Sequence, residues 1–441
     1  MEERYWNKLW RYYVRKECRL LNRYQAFMER YFLPVAARLA EQRYLRAIRD
    51  GIIATMPLLI IGSIFLIISS PPVESWAAFM KPYATTLNIP VNATFGLLGL
   101  IAVFAIAYHL AKSYNMDGLS AGVLSIAAFF VATPLTENGN IPLHLMGSEG
   151  LFIAILLALF TVEVYRFFES RNMVIRMPDG VPPSVWRAFT ALIPGAAIIA
   201  IVWGIDLVLK TTWDLSLHGI VGAVLREPLQ LLGGSFWGAI VAIILIHLLW
   251  SFGIHGISVV ASVMAPIWYS LTEENVAAHQ AGEALPHIVG QPFMAIWWAV
   301  GGSGMALALT LLFVWRARSK HLKSLGKGSV WASAFNISEP VIFGAPVVMN
   351  PILVIPFILA PLAVGIITYV SMSIGLVGKP YVIVPWTTPP PFSGILTTGD
   401  FRGGILMIVN IIVAMAIYYP FFKMYDRQLV HEEQGDQTEN V

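Results

Sequence analysis

The chain has 441 residues, of which 57% are hydrophobic and only 12% charged, and its formal net charge is +3. A soluble globular chain carries about 25% charged residues, so this one cannot cover a water-facing surface. The net charge says little about partners, since in a membrane protein the placement of Lys and Arg matters more, and no nucleic-acid partner is expected. Cys18 is the only cysteine, which excludes a disulfide framework and a cysteine-based metal cluster.

Residues 1–30 form a basic, amphipathic extension. The stretch RYYVRKECRLLNRYQAFMERYF, from Arg11 to Phe32, suits an interfacial helix on the membrane surface or a plain solvated helix, and the N-terminus does not read as a cleavable signal. From Ile52 onward, uncharged apolar runs fill the chain, among them Ile52–Val73, Pro228–Thr272, Pro340–Gly378 and Gly403–Phe422. Crossing a bilayer takes about 20 apolar residues, so the longest runs hold more than one crossing. The expected fold class is an all-α polytopic membrane protein of about ten transmembrane helices. Their centres fall near residues 61, 102, 126, 157, 197, 243, 264, 304, 364 and 412. Lys and Arg cluster at the N-terminus, at Lys112, at Arg166, Arg171, Arg176 and Arg187, along RARSKHLKSLGK (Arg316–Lys327), and at Lys423 and Arg427. With ten spans these clusters share one side, which puts both termini in the cytoplasm.

Two stretches do not suit plain spanning helices. Residues 328–350 contain Gly328, Pro340, Gly344 and Pro346, and PYVIVPWTTPPPFSGILTTGD (380–400) is apolar but rich in proline. Irregular backbone at membrane depth is tolerated only where protein buries it or where it lines a watery cavity. Both are therefore expected as re-entrant hairpin segments, which commonly build a transporter's substrate site.

Polar groups inside these runs are the candidates for chemistry. His255 sits in LLWSFGIHGISVV between Gly253 and Gly256, with Trp250 upstream. His247, eight residues earlier, reads instead as a histidine hydrogen-bonded to a neighbouring helix. Glu339, in NISEPVIFGAPVVMNP, is the only formal charge between Lys327 and Lys379. An ionised carboxylate in an apolar surrounding costs several kcal/mol, so a buried Glu339 has to be paired, hydrated or protonated, and it is a functional hypothesis by default. Asn336, Ser338 and Asn350 add uncharged donors and acceptors, while Trp250, Trp386 and Phe293 offer flat apolar faces. Carboxylate, imidazole, amide and aromatic ring together suit a sugar, whose hydroxyls hydrogen-bond and whose C–H faces stack on rings. GGSG (Gly301–Gly304) reads as a small-residue helix contact or a tight packing site and not as a phosphate loop, because no strand precedes it. No HExxH, GxSxG or Walker sequence occurs, which leaves a membrane protease or an ATP-driven pump without catalytic support. Three readings compete: a sugar permease, an ion-coupled symporter using Glu339 as a proton or sodium site, and an intramembrane enzyme using His255 and Glu339.

Several segments in order carry a resemblance: RAIRDGIIATMPLLIIGSIFLI (Arg46–Ile67), MPDGVPPSVWRAFTALIP (Met177–Pro194), WSFGIHG (Trp250–Gly256), NISEPVIFGAPVVMNP (Asn336–Pro351) and PWTTPPPFSGILTTGD (Pro385–Asp400). Together they resemble the lactose/cellobiose/diacetylchitobiose family, the membrane-embedded IIC components of the bacterial phosphoenolpyruvate-dependent sugar phosphotransferase system. The resemblance spans residues 31–427 and leaves out the basic extension. It implies a homodimer in the bacterial cytoplasmic membrane. Residues 31–230 would hold the dimer interface and 231–427 the substrate-binding part, with two re-entrant hairpins. It further implies a β-linked disaccharide substrate, phosphorylated on its 6-hydroxyl by a phosphocysteine of a soluble IIB protein, which works with IIA. No cofactor is implied. On matching positions, Glu339 and His255 are expected to contact the hydroxyl to be phosphorylated, and Asn92, Trp250 and Trp386 to contact the rest of the sugar. The tail 428–441 is expected to be too short and polar to fold as a fused IIB or IIA domain.

Overall fold

The computed structural model describes residues 42–69, 74–175, 189–348 and 350–439, together with Arg38 and Trp186. The amphipathic extension 1–30 lies outside the described residues, as does most of MPDGVPPSVWRAFTALIP. Among the described residues the chain is helix and irregular connection, with no strand.

Six helices are long and apolar enough to cross a membrane: Arg43–Ser69, Thr85–Ser113, Leu151–Ser170, Leu192–Trp213, Ile352–Ser373 and Phe401–Gln434. A seventh crossing arises if Leu217–Gly233 and Phe236–Ser251, bent by 71° at their junction, act as one span. Gly118–Ala132 is a shorter apolar helix, and Gly256–Ala281 is long but carries Glu273 and Glu274 in its second half. The expected span centres all lie in α-helices except the one at 304, which falls on a break.

The faces of these helices show which solvent they meet. On Leu192–Trp213, Trp203 is 59% exposed and Val208 53%, while Asp206 is turned inward at 4%. A helix that buries its acid and exposes its tryptophan is matched to lipid, not to water. Helix starts follow ordinary capping chemistry: the side chains of Asp117, Ser235 and Ser319 each accept a hydrogen bond from a backbone N–H in the first turn of the helix that follows. Arg43–Ile53, Leu98–Ser113, Gly118–Ala132 and Leu151–Ser170 pack on one another, and Phe236–Ser251, Ala306–Arg316, Pro351–Ser373 and Phe401–Glu439 form a second group. Gly256–Ala281 leans across to Arg43–Ile53 in the first.

Irregular backbone appears where the sequence suggested a helix at 304. Gly301, Gly302, Gly304 and Met305 all have positive φ, so GGSG is irregular backbone at a tight packing site, where a Cβ on Gly302 would fall 2.6 Å from Ser338 and one on Gly304 would run into Phe357. Its freed backbone groups are satisfied by side chains, as burial requires. The Gly301 N–H donates to Asn336 Oδ1 at 2.7 Å. His247 Nε2 accepts from the Gly304 N–H at 3.0 Å, and the Tyr418 hydroxyl donates to the Gly304 carbonyl. The irregular part of 328–350 begins later than expected, because the helix Lys320–Ala334 runs through Gly328. Residues 378–385 are irregular and buried at their centre, with Tyr381, Val382, Ile383 and Val384 all under 9% exposed. The Ile383 N–H donates to Ser63 Oγ at 3.1 Å, and Asn275 Nδ2 donates to the carbonyls of His287 and Pro380 at 2.7 and 2.9 Å.

The polar tail extends the last helix, Phe401–Glu439, because Asp426 and Glu433 on it are docked against the chain at Arg318–His321.

The two kinds of glycine yield a stability prediction. A Cβ at Gly304, at φ +74°, would run into the Phe357 ring, whereas nothing lies within 4 Å of one at Gly328. Gly304→Ala should therefore cost about 2 kcal/mol or more, and Gly328→Ala, inside a helix, should stabilise by about 0.5–1 kcal/mol. Thermal unfolding of the detergent-solubilised protein reads both, and equal melting temperatures would contradict the strain assigned to Gly304.

Candidate functional site

WSFGIHG folds as helix end, turn and helix start. Gly253, at φ +79°, follows the end of Phe236–Ser251, and the N–H groups of Gly253 and Ile254 return to the carbonyls of Trp250 and Leu249 at 2.9 and 3.1 Å. Only a residue tolerant of the left-handed region closes a helix this way. Two residues on, His255 caps Gly256–Ala281: its Nδ1 accepts from the Ser258 N–H at 3.3 Å and from the Ser258 hydroxyl at 2.8 Å. A backbone amide can only donate, so Nδ1 is an acceptor and the proton of the neutral imidazole sits on Nε2. The ring is exposed and rests against Trp250, 4.7 Å between centroids at 52°. His255 thus presents an oriented N–H donor. His247 is fully buried and uses both nitrogens internally, Nδ1 with the Ile243 carbonyl and Nε2 with Gly304, which is the structural role its sequence position suggested.

NISEPVIFG begins with the same kind of closure. Asn336, at φ +64°, follows the helix Lys320–Ala334, and the N–H groups of Asn336 and Ile337 return to Ser333 and Ala332. Asparagine is among the few residues that sit easily there. Its side-chain oxygen takes the Gly301 N–H, and its Nδ2 donates to the carbonyls of Trp386 and Thr388 at 2.6 and 3.1 Å. Asn336 is therefore not a free sugar donor; it is the clamp that joins three irregular segments. Ser338 is buried at 3% beside Gly302, and Asn350 caps the next helix, its Oδ1 accepting from Ile352 and Leu353.

Glu339 opens the six-residue helix Glu339–Gly344. It is exposed, as are Ile337 and Phe343 nearby, so the expectation of an acid buried within the protein is corrected: the turn at Asn336 carries its carboxylate outward from the packed segments. The His255 turn reaches this segment through Gly253, where a Cβ would lie 3.6 Å from Val348.

The aromatic candidates separate. Trp386 is 51% exposed, with a ring face available for stacking. Trp250 is buried at 3% and backs the His255 ring. Phe293 is 1% exposed, packed near Tyr369, and has no face to offer a sugar; its apolar surroundings make it core. Asn92 is exposed on the helix Ala84–Thr94, and no hydrogen bond among the described residues ties it to the other candidates. No group of three His, Cys, Asp or Glu among the described residues is placed to hold a metal ion. The role of Ser258 was missed in the sequence, although a Ser three residues after His255 at a helix start is a readable capping spacing.

A model of the family described as "Phosphotransferase system, EIIC" matches residues 49–361. The lichenan permease IIC component of Bacillus subtilis (strain 168) is 48% identical over 433 residues, covering 94% of this chain and 96% of that protein. The cellobiose-specific EIIC component of Geobacillus stearothermophilus is 48% identical over 440 residues, covering 95% of this chain and 98% of its own. The crystal structure of the transporter ChbC, the IIC component from the N,N'-diacetylchitobiose-specific phosphotransferase system, matches with a TM-score of 0.89 at 47% identity, over 93% of this chain and 99% of that one.

The clamp role of Asn336 predicts an order of stabilities. Asn336→Gly and Asn336→Ala both strand the Gly301 N–H, at about 1–3 kcal/mol for a buried unmade bond, and alanine adds about 1 kcal/mol of left-handed strain. Melting temperatures should fall in the order Asn, Gly, Ala, and a wild-type value for Asn336→Ala would remove the clamp.

Proposed function

This chain belongs to the phosphotransferase system EIIC family, and on that footing we propose that the sugar it carries is a β-linked disaccharide of the cellobiose or diacetylchitobiose type, met at its 6-hydroxyl by Glu339 and His255. As an EIIC component it is a multi-pass membrane permease acting with IIB and IIA partners. The observation that carries the site assignment is the fixed tautomer of His255. Its Nε2–H points away from the Ser258 cap as a donor, and the exposed Glu339 carboxylate lies on the segment that the His255 turn touches.

A donor and an acceptor are what one hydroxyl needs. Its oxygen accepts from His255 Nε2–H while its proton is held by Glu339. As the oxygen bonds to phosphorus, the S–P bond of the IIB phosphocysteine breaks and the hydroxyl proton passes to the carboxylate, leaving the cysteine as thiolate. The carboxylate acts as general base, and the imidazole orients the nucleophile without competing for its proton. Trp386, half exposed, suits stacking against a pyranose face, while Trp250 supports the site by fixing the His255 ring.

The protein is further proposed to be a homodimer with both termini in the cytoplasm. The basic run Arg316–Lys327 then faces the compartment that supplies the phosphorylated IIB. The symporter and intramembrane-enzyme readings lose ground, since relatives aligned over almost the whole chain are named as IIC components.

Glu339→Gln keeps a polar contact but loses the base. It should bind cellobiose within about tenfold of wild type while IIB-dependent sugar phosphorylation in membrane vesicles falls by at least about 100-fold. Unchanged phosphorylation would overturn the assignment of Glu339.

A further inference from the structure

The helix that carries Glu339 has six residues, and so short a helix is not stable by itself. Its position must come from what holds its ends. At the start, Asn336 ties the preceding turn to Gly301, Trp386 and Thr388. At the far end, His321 Nε2 donates to the Gly344 carbonyl at 2.9 Å, and Leu325 from the same helix as His321 packs where a Cβ on Gly344 would fall, 2.5 Å away.

His321 is itself held from the last helix. Glu433 Oε1 accepts from the His321 N–H at 3.0 Å and from the Ser319 hydroxyl at 2.8 Å, and Oε2 accepts from the Lys320 N–H at 3.0 Å. Two turns earlier, Asp426 takes the N–H of Arg318 at 3.0 Å and of Ser319 at 2.9 Å. These donors begin the helix Lys320–Ala334, whose first N–H groups have no partner within the helix. Two carboxylates seven residues apart on one face of Phe401–Glu439 therefore pin four consecutive residues, and through His321 they pin the far end of the Glu339 helix.

We propose that His321 is a positioning residue for Glu339, and that Glu433 holds His321 in place, so the polar end of the C-terminal helix belongs to the sugar site's supporting frame. This rests on the reading that Glu339 contacts the sugar. Loss of the His321–Gly344 bond frees the helix to drift, and the carboxylate loses its register with the bound hydroxyl. His321 touches no sugar, so its effect must pass through Glu339.

A double-mutant cycle on the purified full-length protein tests this, with cellobiose affinity by titration calorimetry as the readout and melting temperature alongside. His321→Leu should weaken binding about fivefold, the net worth of one hydrogen bond, and Glu433→Ala should act in the same direction. His321→Asn, which keeps an N–H donor, should recover part of the loss. In the Glu339→Gln background, His321→Leu should change affinity by less than about twofold, because the group it positions is already altered. Equal losses in both backgrounds would show a general packing role and overturn the proposal, as would wild-type affinity for His321→Leu. Wild-type affinity for Glu339→Gln with unchanged phosphorylation would instead sink the underlying site reading. If His321→Leu does not fold, His321→Asn and Glu433→Gln carry the same cycle.

Discussion

Inside a membrane protein, backbone that leaves the helix must find a partner for every N–H and C=O, because neither lipid nor packed apolar side chains supply one. This chain leaves the helix at the 253–255 turn, at 301–305, at 335–338 and along 378–391. The partners come from elsewhere in the sequence: His247 and Tyr418 for Gly304, Asn336 for Gly301, Asn275 for Pro380 and Ser63 for Ile383. Each such bond, if unmade in the interior, costs about 1–3 kcal/mol, so the irregular segments are held in one arrangement.

The site inherits its geometry from that arrangement. Glu339, His255 and Trp386 stand at the edges of irregular segments, and each is aimed by a neighbour that does no chemistry. Ser258 sets the His255 tautomer, Trp250 backs its ring, and Asn336 draws the Trp386 loop to the Glu339 turn. On the proposed reading, this helical frame presents a donor and an acceptor for one hydroxyl, as phosphoryl transfer from a separate protein requires. The permease would then offer the sugar in a fixed pose, and the partner would bring the phosphorus.

Some of this was legible in the sequence and some was not. The fold class followed from uncharged runs alone, and the two motifs flagged themselves as polar residues in apolar surroundings. Roles within the motifs were less legible. Asn336 reads as a ligand because its amide suits a sugar, yet its left-handed backbone turns the amide onto three main-chain groups, a placement fixed only by the fold. Phe293 is chemically fit for stacking, but its π-helical turn folds it into the core. Gly301–Gly304 has the composition of a close packing site, as it is, but its irregular backbone depends on distant partners, His247 and Tyr418, that no local pattern names. That the last helix runs on into the polar tail was not legible, because its two anchoring acids, Asp426 and Glu433, act on residues more than 100 positions earlier, a separation no local pattern displays.

The central claim is that one sugar hydroxyl is shared by a fixed imidazole donor and an exposed carboxylate. A structure of the full-length protein with a bound β-linked disaccharide tests it most directly. The 6-hydroxyl should lie within hydrogen-bond distance, about 2.6–3.2 Å, of both His255 Nε2 and the Glu339 carboxylate. A disaccharide bound with that hydroxyl turned away from either group, or seated elsewhere in the protein, would contradict the account.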